Sequence, residues 1–130
     1  MIKCINPEDL PVPNTYSQVV VATGSKLVFI SGQEPEDLDG KLVGRGDLAA
    51  QASQVFANLG HALAAAGASP SQVTRITIYV VDYDRDACLP VIETARLGLF
   101  GDHKPADVVL GVARLSPGYL IEVDAFAMVD

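Results

Sequence analysis

The chain has 130 residues, which is enough for one domain with a real core and too short for two. Nine basic and sixteen acidic residues give a net charge of -7, so the overall field repels phosphate backbones and anionic membranes, and nucleic acid is a poor partner. Neither Cys4 nor Cys88 belongs to a disulfide framework or a metal-binding spacing. No signal peptide and no membrane-spanning run is recognisable, so we expect a cytoplasmic protein without membrane association.

The first third of the chain predicts short strands separated by turns. After the proline-rich loop at 7–13, strands are expected at residues 16–23 and 26–31, and Gly24-Ser25 has the form of a two-residue hairpin turn between them. Gly40 can seat a tight turn before a short strand at 41–43.

The next segment predicts an amphipathic helix with clear ends. Asp47 is a suitable N-cap and Gly67 a suitable stop. Apolar residues recur between them at the three-to-four spacing of one helix face: Leu48, Ala52, Val55, Phe56, Leu59, Leu63 and Ala66.

The remainder predicts a strand at 73–82, a second helix from about Asp86 to Phe100, and strands near 107–115 and 119–129. Pro90 fits the helix only if it falls in the first turn. Ser116-Pro117-Gly118 indicates a hairpin between the last two strands.

This order of elements predicts an α+β domain whose two helices cover one face of a mixed sheet. The opposite face of the last strand carries Phe126 and Met128, and that of the strand at 73–82 carries Tyr79 and Val81. Since no chain remains to cover this apolar face, another copy of the protein is the expected cover, with clefts where the copies meet.

Two carboxylates stand in otherwise apolar strands, and each has two interpretations. Glu122 is either an exposed strand residue paired with a lysine, or a desolvated acid-base group whose raised pKa suits proton exchange. Asp107 is either a solvated strand end or part of a site. Tyr16 and Ser31 are either ordinary strand ends or, with the amides of Gly32 and Gln33, a group that orients a water or an anion.

No metal role is expected for either histidine, because no ligand lies at a metal-binding spacing from His61 or His103. Cys88 has no histidine placed by the sequence to activate it as a nucleophile.

Seven segments, in order along nearly the whole chain, resemble the Rid family, also called YjgF/YER057c/UK114 or endoribonuclease L-PSP. They are YSQ at 16–18, ISGQEP at 30–35, GDLAAQASQVFANLGHALAAAGAS at 46–69, ITIYVVD at 76–82, KPA at 104–106, VARL at 112–115 and IEVDAFA at 121–127. The resemblance implies one domain over 1–130, a chorismate-mutase-like fold, and a homotrimer around a central β-barrel with clefts at its interfaces. It also implies hydrolysis of reactive enamines and imines without a metal or organic cofactor.

The resemblance assigns site positions to Tyr16, Ser31, Gly32 and Glu122, with Glu122 orienting or deprotonating the attacking water. Asp107 stands where the family's deaminases carry the arginine that grips the substrate carboxylate. Two further positions depart from those deaminases, because Pro90 replaces an asparagine and Val109 replaces a cysteine.

The change at Asp107 predicts a different substrate charge. A carboxylate about 5 Å from a substrate carboxylate, at an effective dielectric of about 20, contributes roughly 3 kcal/mol of repulsion where arginine would attract. The sequence therefore predicts a neutral or cationic ligand, unless another cation reaches the cleft; the candidates are Arg114, Arg45, Arg96 and Lys104.

Two hypotheses for function follow. The first is a cofactor-free hydrolase acting on an imine, an enamine or a related C–N bond. The second is a trimeric small-ligand-binding or regulatory protein that keeps the cleft without the chemistry. A ribonuclease role fits poorly with the charge of -7 and the absence of a basic, aromatic-interleaved patch.

Overall fold

The computed structural model describes residues 1–130 as an α+β domain, which confirms the predicted fold class. Its central sheet has the strand order β3-β6-β4-β5, and β1 and β2 form a separate two-stranded ribbon. The elements in chain order are β1 (Ile2–Ile5), β2 (Val19–Ala22), β3 (Lys26–Gln33), α1 (Leu48–Ala65), a 3-10 turn (Pro70–Gln72), β4 (Val73–Val81), α2 (Arg85–Phe100), β5 (Ala106–Val112) and β6 (Ile121–Val129).

Helix α1 begins and ends where the sequence predicts. The Asp47 side chain accepts a hydrogen bond from the Ala50 amide at 3.1 Å, which satisfies one of the free N–H groups of the first turn. Gly67 follows the helix with φ of +70°, a conformation that side chains with a β-carbon disfavour. The apolar face of α1 is buried through Ala52, Val55, Phe56, Leu59 and Leu63.

Both helices pack on one face of the sheet, as predicted. The core beneath them takes alternate residues of β6, including Ile121, Val123 and Ala125. The opposite, helix-free face stays exposed in the single chain. Phe29 is 70% exposed and Phe126 is 42% exposed, and their rings meet edge to face with centroids 5.4 Å apart. A large apolar surface is therefore left on one side of the sheet.

Both predicted hairpins are wrong. β2 pairs with β1 rather than with β3, and β3 pairs antiparallel with β6. β5 lies parallel to β4, and α2 supplies the crossover that a parallel connection requires. Turn residues such as Gly24 indicate that the chain changes direction locally, but they do not indicate which strands pair in the sheet.

Pro90 is the sixth residue of α2, so the expectation that it lies in the first turn is also wrong. Because proline lacks an N–H, the carbonyl of Asp86 receives no helical bond from it. Pro90 and Asp86 are both exposed, which leaves that carbonyl to water. The short strand expected at 41–43 is reduced to a single bridge between Glu36 and Leu42. Neither helix combines the length and apolar character needed to cross a lipid bilayer.

Candidate functional site

A cavity of about 620 Å³ lies at the open edge of the sheet, between the N-terminal loop, the first turns of α2 and the edge strand β5. We call it the edge cavity. Three of the predicted site residues, Tyr16, Asp107 and Val109, line it together. The rest of its lining is Pro11, Val12, Pro13, Asn14, Thr15, Gln18, Tyr83, Arg85, Leu89, Glu93 and Val108.

Ser17 holds the N-terminal loop against the start of β5. Its amide donates to the carbonyl of Pro105 at 3.2 Å, and its hydroxyl donates to the carbonyl of Lys104 at 2.5 Å. Ser17 is only 3% exposed, so water does not compete for these bonds. They place Tyr16 beside Asp107, although the two residues are far apart in the sequence.

Asp107 is not the isolated negative charge that the sequence predicts. In the sheet it lies opposite Ile76, a buried residue on the helix-covered face, so its side chain points toward α2. There Arg96 Nη1 donates to Asp107 Oδ2 at 2.5 Å, and the two side chains are only 4% and 8% exposed. The arginine considered as a replacement cation is thus bonded to the aspartate. The pair is close to neutral as a unit.

The pair is joined by one hydrogen bond only. Arg96 Nη2 is buried without a partner, and Asp107 Oδ1 accepts no hydrogen bond from the chain. Arg96 itself does not line the edge cavity. Asp107 therefore presents a carboxylate oxygen to the cavity while its charge is balanced from behind.

Glu122 lies over Gly32, which brings two more predicted residues together. A β-carbon at position 32 would collide with Glu122 Oε2, so only glycine lets the carboxylate occupy this place. Burial raises the pKa of Glu122, and the nearby charges of Glu34, Asp124 and Glu36 raise it further. Such a carboxyl is suited to taking up and returning a proton. Ser31, next to Gly32, is exposed.

Gly32 also lines a second cavity, of about 800 Å³, which we call the acidic cavity. The remaining lining residues are Gln33, Glu34, Glu36, Asp37, Leu38, Gln54, Asn58, His61 and Ala62. Three of them are carboxylates and none is Lys or Arg. The acidic cavity and Glu122 therefore form a region of negative potential.

Amide side chains of α1, which were not among the residues predicted from the sequence, hold this region in place. Asn58 Nδ2 donates to the carbonyls of Glu34 at 3.0 Å and Glu36 at 2.9 Å. Gln51, with no exposed surface, accepts from the Leu120 amide at 2.7 Å just before β6. The available signal is the set of amide side chains, Gln51 and Asn58 among them, that borders the apolar face of α1.

A single chain does not bring all the predicted site residues together. Glu122 lies opposite Tyr79, on the helix-free face of the sheet, whereas Asp107 points to the helix-covered face. Gly32 and Glu122 therefore form one group, and Tyr16, Asp107 and Val109 form another. Arg114 is exposed and lines neither cavity.

The fold and the two groups of residues define a small α+β protein whose candidate site is divided between opposite faces of one sheet. The profile of the family described as Endoribonuclease L-PSP matches residues 8–129. The chain belongs to this family, which is the Rid family that the sequence motifs resemble.

Relatives match over nearly the full length of the chain. A RutC family protein of Pyrococcus horikoshii is 35% identical over 128 residues, covering 98% of each chain. The 3-aminoacrylate deaminase RutC of Acinetobacter baylyi is 33% identical over 126 residues, covering 96% of each chain. The crystal structure of the Rid family protein YyfB of Yersinia pestis, 33% identical, superposes with a TM-score of 0.90 over 98% of each chain.

Proposed function

We propose that the protein is a cofactor-free hydrolase that deaminates a reactive imine or enamine. The observation that carries the proposal is Glu122, a carboxyl group with a raised pKa that lies over Gly32, where a β-carbon would collide with it. The family supports it, since a relative of similar length is named a 3-aminoacrylate deaminase.

The chemistry needs one group that moves protons in both directions. Glu122 accepts a proton from water as the oxygen bonds to the imine carbon and the C=N bond becomes single, and it passes this proton to the nitrogen. Glu122 then takes the proton of the new hydroxyl group as the C=O bond forms and gives it to the nitrogen as the C–N bond breaks, so that ammonia and a carbonyl compound leave. A carboxyl with a pKa above its ordinary value serves both steps near neutral pH.

The site is completed, in this proposal, by a second copy of the chain. Because Glu122 and Asp107 lie on opposite faces of one sheet, they can act on one ligand only if they come from different subunits. The exposed Phe29 and Phe126 give the helix-free face the character of such an interface. We expect a homotrimer, which light scattering after size exclusion would measure.

Simple 2-imino acids are expected to be poor substrates. Position 107 carries an aspartate and not a free guanidinium group that could bind the substrate carboxylate. Because the Asp107–Arg96 pair is nearly neutral, it does not attract a carboxylate, and it repels one less strongly than an isolated aspartate would. The lost attraction of roughly 3 kcal/mol corresponds to about a hundredfold in affinity.

A second candidate is a ligand-binding protein without catalysis. It is favoured by the edge cavity, which is lined by two residues that differ from those of the family's deaminases. Asp107 stands at the position of their arginine and Val109 at the position of their cysteine. Pro90, which replaces their asparagine, adds a third departure in α2.

The test is ammonia release from imines generated in situ: 2-iminopropionate as the anionic member, an uncharged imine, and a cationic imine that carries an ammonium group. We expect wild type to accelerate release from the uncharged imine at least tenfold over the uncatalysed rate. Glu122→Gln should abolish this acceleration, while Glu8→Gln, an exposed carboxylate outside both cavities, should retain it. Wild type that remains at the uncatalysed rate with every imine would favour the binding protein instead.

A further inference from the structure

We propose that the ligand of the edge cavity is an organic cation, whose ammonium or amidinium group donates to Asp107 Oδ1. The identification of this ligand as a substrate rests on the proposed function; its charge does not. The evidence is the geometry of one ion pair and the charges of the two cavities.

Asp107 is a preformed acceptor. Its side chain is 92% buried and lines the edge cavity, and only its Oδ2 accepts a hydrogen bond from Arg96. A bidentate pair would have used both oxygens, but the single bond leaves Oδ1 free. A cationic N–H donor can complete this carboxylate with a charge-assisted hydrogen bond, whereas an anionic group would meet an acceptor that has no proton to give.

The surroundings of Asp107 suit a cation with an apolar stem. Tyr16 and Tyr83 both line the edge cavity, and aromatic faces attract ammonium groups. Leu89 and Val109 line the same cavity and can contact alkyl carbons. Aromatic and aliphatic groups thus line the same cavity as the carboxylate of Asp107.

The other charges of the region also favour a cation. Arg85 is the only basic residue of the edge cavity, which is also lined by the carboxylates of Glu93 and Asp107. Arg85 is exposed and lies between Asp84 and Asp86 in the sequence, so its field is largely cancelled. The acidic cavity is lined by Gly32, over which Glu122 lies, and it adds carboxylates without Lys or Arg.

The test uses three probes of one size: n-butylammonium, butyrate and 1-butanol. Their dissociation constants are measured by ligand-observed NMR at pH 7 and in 0.15 M salt, which screens the general attraction of a protein of charge -7 for cations. We expect butylammonium to bind at least tenfold more tightly than butyrate and more tightly than butanol. Butyrate binding as tightly as butylammonium would overturn the proposal.

Variants assign the selectivity to one carboxylate. Asp107→Asn should reduce butylammonium affinity at least fivefold, and Asp102→Asn, an exposed aspartate that does not line the cavity, should not change it. Because Asp107→Asn strands a buried Arg96 and can fail to fold, Arg96→Gln/Asp107→Asn repeats the test with an uncharged pair. Unchanged butylammonium affinity in the folded variant would contradict the assignment.

The binding test and the ammonia-release test can reject the ligand class and the hydrolase independently of each other. Selective, Asp107-dependent butylammonium binding without turnover of any imine would retain the ligand class and reject the hydrolase. Turnover of 2-iminopropionate as fast as that of uncharged and cationic imines would retain the hydrolase and reject the ligand class.

Discussion

The buried ion pair between Arg96 and Asp107 gives a sharp prediction for stability. Removing either partner leaves the other charge buried and uncompensated, which costs about 3–5 kcal/mol. Both side chains are more than nine-tenths buried, so solvent offers little relief to the residue that remains. We therefore expect Arg96→Leu and Asp107→Leu each to lower the free energy of unfolding by about 3–5 kcal/mol.

Replacing both residues should cost far less. The pair is held by one bond, and Arg96 Nη2 is already unpaired, so the desolvation of the guanidinium is poorly offset in the wild type. Arg96→Leu/Asp107→Leu removes both charges together, and we expect its stability within about 1 kcal/mol of wild type or above it.

Urea unfolding followed by circular dichroism measures these differences. With a slope of about 1.5 kcal/mol per molar, each single variant should lower the midpoint by roughly 2–3 M. Protomer concentration must be fixed, because any association of subunits adds to the apparent stability. Single variants that cost under about 1 kcal/mol, or a double variant as unstable as the singles, would refute this account of the pair.

Three further outcomes are expected. Burial raises the pKa of Glu122 in the folded state, so the ionised side chain lowers the free energy of unfolding at pH values above the range where the unfolded carboxyl titrates. Glu122→Gln should therefore raise the urea midpoint more at pH 7 than at pH 4, and an equal gain at both pH values would contradict the raised pKa. Gly32→Ala should displace the Glu122 carboxylate and reduce the rate of ammonia release more than tenfold. The control Gly98→Ala, at a glycine with open space around it, should keep the wild-type rate. A Gly32→Ala variant with the wild-type rate would show that activity does not need the close contact between Gly32 and Glu122. Asn58→Ala leaves the carbonyl of Glu36 without a donor and removes one of the two donors to the carbonyl of Glu34. It should lower the free energy of unfolding in urea by about 1–3 kcal/mol, with faster amide exchange confined to residues 34–36; unchanged exchange there would contradict this role of Asn58.

Local signals predicted the elements of the fold well. The periodicity of α1, its cap at Asp47 and its stop at Gly67 are all set by residues within one or two turns of each other, so the sequence displays them directly. Strand pairing was predicted poorly, because the partner of β3 is β6, at the other end of the chain. A turn signal such as Gly24-Ser25 contains no information about a contact of that range.

The sequence supplied candidates for the site but not their geometry. The resemblance to the family named Glu122, Gly32 and Tyr16 as candidates, and it placed Asp107 at the position of an arginine in the family's deaminases. The contact of Asp107 with Arg96 depends on β5 lying parallel to β4, whereas the sequence predicted that β5 would form a hairpin with β6. The true neighbour of Asp107 therefore became visible only in the fold.

The Arg96–Asp107 pair also constrains which substitutions these two positions can accept. Arginine introduced alone at position 107 would meet the buried guanidinium of Arg96, and loss of Arg96 alone would strand a carboxylate. Each single step passes through a destabilised intermediate, so the two positions must change almost together or in a protected background. The two positions are consequently expected to change as one unit, and the order of substitutions decides whether the intermediate folds.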